Sequence, residues 1–371
     1  MSQKKRYIIF HRHGHRLPMK ALGGPGILTG LDELKLWKQF LPNELRIEKL
    51  RTRIPIQQHP NNDIPRDLLR NEPFGRLTNK GMDFLNKKGK SLRSILTNIK
   101  NINYKNVKVY ATNYQRTQLS VQELLNGLFD QFVDNDNNND VKIPIIVRDI
   151  KSCSMSYFDG KPDLAFSLIS KVQSTDKFKQ IENDSKIIKV KEIMSLNIPL
   201  IIGPRGFDWM AAFDYFACRR AHDIKIHDDL VPYENIVKQH LINRYDVYLN
   251  HHEKFGNFVF PMIQDINDQI KEFDIKDCTN NSPCLAVFSC HDVNILGLLY
   301  ALKAKMIKNA TFWPYYGDTI ILEHDASNKI NVYYNDKPLE MTIDNDDNRT
   351  YITQKELNEL EIRLFNFSLV T

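Results

Sequence analysis

The sequence predicts an α/β fold, a three-layer α/β/α sandwich with a mostly parallel central sheet and an inserted, mainly helical cap subdomain. Two patterns predict it: short β-type runs alternate with helical patterns at both ends of the chain, and the middle shows helical periodicity without clear strands. The length of 371 residues, 42% of them hydrophobic, is enough for one large core that carries an insertion. We therefore expect residues 1–151 and 284–371 to form the α/β core and residues 152–283 to form the helical cap.

The first part of the predicted core contains three strands, at residues 5–10, 107–111 and 143–147. Thr78 is expected to cap a helix whose apolar side chains recur at helical spacing, and residues 115–132 are expected to form the next helix. Residues 18–76 are rich in Pro, Gly, Asn and Arg and contain a single amphipathic stretch, near residues 32–40. This composition predicts a long loop segment that crosses the protein surface. The polar tract 134–140 is expected to be the tip of a loop.

The second part of the core begins with a buried strand at 285–289, followed by a helix at 293–302. Residues 320–323 and 330–334 are expected to pair as antiparallel strands, and residues 354–365 to form a closing helix. Within the predicted cap, apolar residues recur at helical spacing in 164–169, 209–216, 236–248 and 258–270.

The charge and the apolar runs exclude several classes of protein. The formal net charge is +6, from 51 basic and 45 acidic residues, without a dense basic stripe, which suits a small anionic substrate and argues against a nucleic-acid partner. No uninterrupted apolar run approaches the roughly 20 residues of a transmembrane segment. Only four apolar residues, 7–10, precede His11, whereas a signal peptide needs about 7–15. We therefore expect a cytoplasmic protein whose five cysteines, which show no C-x-x-C spacing, are reduced thiols. If the chain were secreted instead, Cys278 and Cys284 could form a disulfide.

Polar and charged residues follow three of the predicted strands. They lie in segments 11–16, 112–116 and 291–292. Because sites in open α/β sheets form beyond the carboxyl ends of the strands, these segments are expected to converge on one crevice.

The first segment has the residues of a phosphate pocket. The guanidinium groups of Arg12 and Arg16 match phosphate oxygens in geometry and stay charged at any working pH, and Gly14 lets the backbone approach a ligand closely. His13 lies between the two arginines, whose charges favour its neutral form and leave a nitrogen lone pair free. A neutral histidine facing phosphorus can attack it and form a phosphohistidine.

Two other interpretations of this segment stay open. A basic turn with hydrogen-bonded histidines is the simplest one. His11, His13 and His15 also recur at period two, so an extended chain would present them on one face as zinc ligands. Against zinc, Arg12 and Arg16 would repel a dication, and the segment contains no carboxylate that could support the histidines.

The pair His291-Asp292 and the single Arg116 could complete the site. His291 could contact the phosphate, and the carboxylic acid of Asp292 could donate a proton to the leaving alkoxide. Asp292 also suits the N-cap of the helix that follows, and the two roles are compatible. Arg116 has significance only because it follows the strand at 107–111.

These motifs resemble the histidine acid phosphatases, the larger-cap branch of the histidine phosphatase superfamily. The first motif, from Arg12 to Pro18, is the most specific, and His291-Asp292 resembles the second motif of the family. Many members have an acidic or small residue where this chain has His15. Weaker similarities lie at Leu77-Thr78 with Gly81, Gly89 with Leu92-Arg93, Arg116-Thr117 with Ser120, Phe213-Asp214 with Arg219 and His222, Trp313-Pro314-Tyr315 and 332–339.

The resemblance implies a role for each matching residue. His13 would be the nucleophile, and Asp292 would protonate the leaving group and then assist water in cleaving the phosphohistidine. The phosphoryl group would be bound by Arg12, Arg16, Arg116 and His291. Neither a metal nor another cofactor is implied, and His15 is left without a role.

We therefore expect a metal-independent phosphomonoester hydrolase, an acid phosphatase, that acts on a small phosphomonoester. A lysophospholipid or a sugar phosphate is compatible with the sequence as substrate. The alternatives are a phosphoryl-transfer mutase of the same superfamily, a zinc-dependent hydrolase that uses His11, His13 and His15, and a binding module that retains the pocket.

Overall fold

The computed structural model describes residues 5–24, 30–65, 68, 73–96, 106–129, 142–204, 206–275, 284–325, 327–343 and 346–369. The protein contains one large mixed β-sheet and two small hairpins. Their strands are β1 Arg6–Arg12, β2 Ile56–Gln58, β3 Val107–Ala111, β4 Ile145–Val147, β5 Ile202–Gly203, β6 Gly206–Phe207, β7 Cys284–Cys290, β8 Thr319–His324, β9 Lys329–Tyr334, β10 Lys337–Pro338, β11 Met341–Ile343, β12 Asp346–Arg349 and β13 Tyr351–Thr353.

The helices cover both faces of the sheet and fill the middle of the chain. They are α1 Gly30–Lys38, α2 Glu44–Arg53, α3 Asn79–Ile95, α4 Gln115–Leu128, α5 Tyr157–Gly160, α6 Pro162–Gln173, α7 Asp176–Glu182, α8 Ser185–Asn197, α9 Trp209–Ala221, α10 Glu234–Leu249, α11 His252–Ile275, α12 Asp292–Ala301 and α13 Gln354–Ser368.

The centre of the sheet is parallel. Its strand order is β10-β9-β8-β1-β7-β3-β4-β2, with β13 also paired to β9. The strands β1, β7, β3, β4 and β2 run parallel to one another. Strands β8 and β9 form the predicted antiparallel pair and extend the sheet beyond β1, to which β8 is also antiparallel. The predicted α/β fold with a mostly parallel central sheet is therefore confirmed.

Helices α3 and α4 form one layer against the sheet, and two glycines let them approach closely. Thr78 caps α3 as predicted, because its hydroxyl oxygen accepts a hydrogen bond from the Gly81 N–H. A Cβ at Gly89 of α3 would collide with the Leu124 carbonyl oxygen of α4, and a Cβ at Gly127 would collide with the Asn86 carbonyl oxygen. The close approach of the two helix backbones thus requires glycine at both positions.

The predicted surface loop at residues 18–76 was wrong in part. Besides α1, which covers most of the amphipathic stretch, this segment forms α2 and the edge strand β2, which pairs in parallel with β4. Trp37 and Ile47 are almost fully buried. Ile47 of α2 packs against α3 and α4, and β2 is held by its pairing with β4. The sequence of these short elements carries too little periodicity to reveal them. The tract 134–140 lies outside the described residues.

The helical middle of the chain is packed into the same hydrophobic core as the sheet. One cluster of buried side chains extends from Phe10 of β1 and Phe288 of β7 to Met194 of α8. Tyr157 and Trp209 also belong to this cluster and are almost fully buried. The division into a core and a cap, with bounds at 152 and 283, stays a prediction. The small β5–β6 hairpin was not expected in this segment.

The cysteines are in different states. Cys153, Cys218 and Cys290 are buried free thiols, as expected. Cys284, by contrast, is disulfide-bonded, so the expectation of five reduced thiols was wrong for this residue, which the sequence had allowed to pair only in a secreted protein. Cys278 lies outside the described residues. The cytoplasmic location stays a prediction.

Within the described part of the chain, none of the helices combines the length and the apolar character needed to cross a bilayer.

The glycine contact between α3 and α4 can be tested by adding a methyl group. We expect Gly89→Ala to lower the free energy of unfolding by about 1–3 kcal/mol, because the new Cβ forces the two helices apart. Urea unfolding followed by circular dichroism measures the change. Gly30→Ala is the matched control, because a Cβ at Gly30 has no heavy atom within 4 Å, and we expect a change within about 0.5 kcal/mol. An unchanged urea midpoint for Gly89→Ala would show that the contact is not tight.

Candidate active site

The carboxyl ends of β1, β3 and β7 meet at one edge of the sheet. Arg12 at the end of β1 lies opposite Cys290 at the end of β7, and Ala111 at the end of β3 lies opposite Ser289. The backbone N–H of His13 then donates to the Cys290 carbonyl, with a donor–acceptor distance of 3.0 Å. The three polar segments found in the sequence therefore come together, and they bring all six predicted site residues to the same edge.

His13 is buried, and one of its ring nitrogens is hydrogen-bonded to the backbone. Its Nδ1 lies 2.9 Å from the Gly14 carbonyl oxygen. Because a carbonyl oxygen can only accept, Nδ1 carries the hydrogen and Nε2 carries the lone pair. Burial, and then the charges of Arg116, Arg12 and Arg16, lower the pKa of His13 well below 6.5. The ring is therefore neutral near neutral pH.

Gly14 is required by the packing of α3. Its N–H donates to the Ser120 hydroxyl of α4 at 3.0 Å. A Cβ on Gly14 would come within 2.6 Å of Leu85 Cδ2 and 2.7 Å of the Gly81 carbonyl oxygen. The sequence predicted a close approach of backbone to ligand, whereas in the structure the close approach is between this loop and α3.

Arg12 is held on three sides. Its Nη1 donates to the Pro314 carbonyl oxygen at 2.7 Å, and its Nη2 lies 2.8 Å from Oδ2 of Asp292. The guanidinium carbon lies 4.3 Å from the ring centre of Tyr316, a cation–π contact. Its buried Nε–H has no hydrogen-bond partner among the described residues. Arg12 thus links the two predicted motifs of the site and keeps a donor for a further group.

Arg16 forms a buried, two-pronged ion pair with Asp214 of α9. Its Nη1 and Nη2 donate to the two carboxylate oxygens, each at 2.9 Å, and Nη1 also donates to the Leu17 carbonyl oxygen at 2.9 Å. Burial opposes the charge, but Asp214 and the other neighbours outweigh it and raise the pKa of Arg16. Arg16 is therefore permanently charged.

Arg116 and His291 contact each other beside His13. Arg116 lies in the first turn of α4, with its guanidinium carbon 4.0 Å from the ring centre of Tyr114. Its Nη2 lies 3.4 Å from Nδ1 of His291, whose Nε2 lies 3.1 Å from the Thr112 hydroxyl. The rings of His13 and His291 are 5.5 Å apart, edge to face. Burial, and then the charge of Arg116, lower the pKa of His291 well below 6.5.

The N-cap of α12 is His291, so the alternative prediction of Asp292 as N-cap was wrong. Asn294 closes this helix end, because its side-chain oxygen accepts from the His291 backbone N–H at 3.0 Å. Asp292 is instead the first helical residue. Its Oδ1 accepts from the Val293 N–H at 2.9 Å, which leaves Oδ2 for Arg12. The carboxyl group is thereby turned toward Arg12 at the strand ends.

The three histidines of the first segment do not converge. Nδ1 of His11 lies 3.0 Å from the Arg12 carbonyl oxygen, whereas the His15 ring packs against Phe84 at 5.0 Å and Tyr316 at 4.8 Å. In the part of the chain that the structure describes, no group of three or more His, Cys, Asp and Glu residues is arranged to hold a metal ion. Burial lowers the pKa of both His11 and His15 to about 4, so neither adds a cation to the pocket near neutral pH.

Tyr316 and Asp214 contact the predicted site residues, but the sequence analysis did not single out Tyr316 and assigned no role to Asp214, which it named only in a weak similarity. The ring of Tyr316 packs against the Arg12 guanidinium group and the His15 ring. No local signal identifies it, because it lies in a loop 300 residues from its partners in the first segment. Asp214 had a weak signal, since a carboxylate within the aromatic run from Phe213 to Phe216 must find a buried cation.

Known proteins resemble this chain in sequence and in fold. The profile of the histidine phosphatase superfamily (branch 2) matches residues 5–186, about half of the chain. No curated protein sequence matches it significantly. The fold is similar to that of the phytase from Citrobacter braakii, with a TM-score of 0.55, 14% identity and 100% of both chains covered.

Two further solved structures are similar to the same extent. For the apo form of Hafnia alvei phytase, the TM-score is 0.56 at 13% identity, with 98% of this chain and 97% of that chain covered. For the Bifidobacterium longum multiple inositol polyphosphate phosphatase in complex with inositol hexasulfate, it is 0.56 at 11% identity, with 95% and 91% covered. Identities this low establish the fold alone, and the profile match adds the family. The chain belongs to the histidine phosphatase superfamily, branch 2.

Proposed function

We propose that this protein is a metal-independent phosphomonoester hydrolase, a histidine acid phosphatase, that acts through a phosphohistidine on His13. Membership of the superfamily supports phosphoester hydrolysis. The observation that carries the mechanism is the state of His13, a buried neutral imidazole whose Nδ1–H is held by the Gly14 carbonyl and whose Nε2 lone pair lies among cations. Such a nitrogen is a nucleophile for a bound phosphoryl group.

In the first step, Nε2 of His13 attacks phosphorus and the bond from phosphorus to the ester oxygen breaks. The protonated carboxyl group of Asp292 gives its proton to that oxygen, so an alcohol leaves instead of an alkoxide. The contacts of Asp292 with Arg12 and with the Val293 N–H hold its carboxyl group beside the pocket.

In the second step, the Asp292 carboxylate accepts a proton from water while the water oxygen bonds to phosphorus. The bond from phosphorus to Nε2 breaks, inorganic phosphate leaves, and His13 returns to its neutral form. Asp292 is then protonated again and ready for the next ester. No oxidant, metal or external acid is consumed.

Arg12, Arg16 and Arg116 are proposed to bind the phosphoryl oxygens. Each is buried, so its charge acts on the substrate with little screening by water. His291 is proposed as a further phosphate ligand. Its Nε2 lies near the Thr112 hydroxyl and its Nδ1 near Arg116, so binding phosphate would replace at least one of these contacts.

The substrate is proposed to be a small phosphomonoester. The structurally similar proteins are phytases and an inositol polyphosphate phosphatase, which makes inositol phosphates the first natural compounds to assay. A lysophospholipid and a sugar phosphate complete the panel, together with an aryl phosphate as a general substrate.

The roles of His13 and Asp292 can be tested with two substrates that differ in leaving group. We expect His13→Ala to lower kcat by at least about 10³-fold on any phosphomonoester, because no nucleophile remains. Asp292→Ala should lower kcat by about 10²–10⁴-fold on an alkyl phosphate, and much less on 4-nitrophenyl phosphate, whose leaving group needs no proton.

Phosphate release under saturating substrate measures both effects. Asp228→Ala is a control, because Asp228 is an exposed carboxylate paired with Lys225. Full activity of His13→Ala would eliminate the mechanism, and transfer of phosphate to an added acceptor in preference to water would favour the mutase alternative.

The pH dependence should show an acid optimum. A histidine with an ordinary pKa of about 6.5 is mostly protonated at pH 5 and cannot attack phosphorus. Burial and the neighbouring arginines lower the pKa of His13, so it stays neutral and nucleophilic in acid, the range in which a carboxylic acid can serve as proton donor. We expect kcat/KM to stay high between about pH 4 and 6 and to fall toward alkaline pH. A rate that rises steadily to alkaline pH would contradict the assignment of Asp292 as the acid.

Metal removal separates this mechanism from the zinc alternative. We expect full activity after dialysis against excess EDTA, because the proposed steps use only an imidazole, a carboxyl group and fixed cations. Initial rates with an aryl phosphate before and after dialysis give the answer. A loss of activity that added Zn²⁺ restores would favour the zinc-dependent hydrolase.

A further inference from the structure

The contact between Arg16 and Asp214 has a consequence for phosphate binding. We propose that Asp214 is a positioning residue that holds Arg16 so that one edge of its guanidinium group is presented to the phosphoryl group. The proposal rests on the proposed function, in which Arg16 is a phosphate ligand. Asp214 belongs to α9, more than 190 residues away in the sequence.

A guanidinium group has five N–H bonds, and they are arranged on two edges that can each hold two oxygens. On the end edge, Nη1 and Nη2 donate to the two carboxylate oxygens of Asp214, and the second hydrogen of Nη1 points to the Leu17 carbonyl. The side edge consists of Nε–H and the second hydrogen of Nη2. Nε is buried and has no hydrogen-bond partner among the described residues.

This free side edge is a built anion site. A buried N–H without a partner is destabilising, so its presence calls for a ligand that supplies an oxygen. Two phosphoryl oxygens fit such an edge in the two-pronged geometry that arginine favours. Because Asp214 occupies the end edge, only the side edge remains for substrate.

Asp214 can act as a fixed anchor because it is held by more than one group. Its Oδ2 also accepts from the Met19 N–H at 3.1 Å, so the carboxylate connects α9 to the loop that follows Arg16. Both partners of the ion pair are almost fully buried, at 4% exposure for Arg16 and 2% for Asp214. An arginine without this anchor would gain several rotamers and lose the alignment of its side edge.

Positioning and simple electrostatics predict opposite results when the charge of Asp214 is removed. A carboxylate near the pocket repels a phosphate anion, so its removal should strengthen phosphate binding if charge alone mattered. If Asp214 aligns Arg16, its removal should weaken phosphate binding despite the added net positive charge. The sign of the change therefore decides between the two.

The experiment measures the affinity of the protein for inorganic phosphate by calorimetry, which does not depend on turnover. We expect Asp214→Asn, which has the same shape without the charge, to bind phosphate about tenfold more weakly than wild type. In the background of Arg16→Ala, the same Asp214→Asn change should alter the affinity by less than about twofold, because there is no guanidinium group left to align.

Asp265→Asn is the control, because Asp265 is also a buried aspartate paired with an arginine, although there Nη1 of Arg148 alone donates to both carboxylate oxygens. It should leave phosphate affinity unchanged and so measures the general effect of breaking such a pair. Tighter or equal phosphate binding by folded Asp214→Asn would overturn the proposal. An equal loss in the Arg16→Ala background would overturn it too, since Asp214 would then act by another route.

If Asp214→Asn does not fold, phosphate affinity is measured on Asp214→Glu instead. This variant keeps the negative charge and moves the carboxylate by one methylene. Weaker phosphate binding is expected, and unchanged binding would overturn the proposal. The two proposals can fail separately. A wild-type protein that binds phosphate but hydrolyses no phosphomonoester contradicts the proposed function, whereas the calorimetric comparison still tests Asp214.

Discussion

Burial of three guanidinium groups at one edge of the sheet is the constraint on which the rest of the site depends. A charge that is removed from water costs several kcal/mol unless partners surround it. In this protein the partners are two carboxylates, backbone carbonyls and two aromatic rings. They come from α9, from the start of α12, from the turn before α4 and from the loops after β1 and before β8. The pocket therefore exists only when these distant parts of the chain are packed together.

The same cations determine the state of the histidines. Their charges, added to burial, keep His13 and His291 neutral by lowering the pKa of each. A neutral His13 with its hydrogen on Nδ1 is a nucleophile, so the groups proposed to bind a phosphate dianion also keep the attacking atom unprotonated. Phosphate binding and nucleophile activation are thus two results of one arrangement of charge. The proposed function assigns phosphoryl oxygens to the buried Nε–H groups of Arg12 and Arg16, which have no hydrogen-bond partner among the described residues.

The sequence predicted the parts of the fold whose pattern is local. Strands β1, β3 and β7, the Thr78 cap and the closing helix α13 all follow from runs and caps that can be read within a few residues. Helix α2 and strand β2 could not be predicted, because they are short and depend on contacts with α4 and β4. The position of Asp292 was misjudged for a similar reason. The choice between two adjacent cap positions depends on Asn294, which closes the turn on His291.

For the site, the sequence alone determined which chemical groups are available and that they follow strand ends. Arginine, histidine and aspartate in those positions predict phosphate chemistry, because strand ends at one edge of a parallel sheet must converge. Only the tertiary structure decided how each group is used. It separates His11 and His15 from His13, because their rings pack against different elements. It also brings Asp214 to Arg16 from a distant helix, since a buried cation takes whichever carboxylate the packing supplies, and no local pattern encodes that choice.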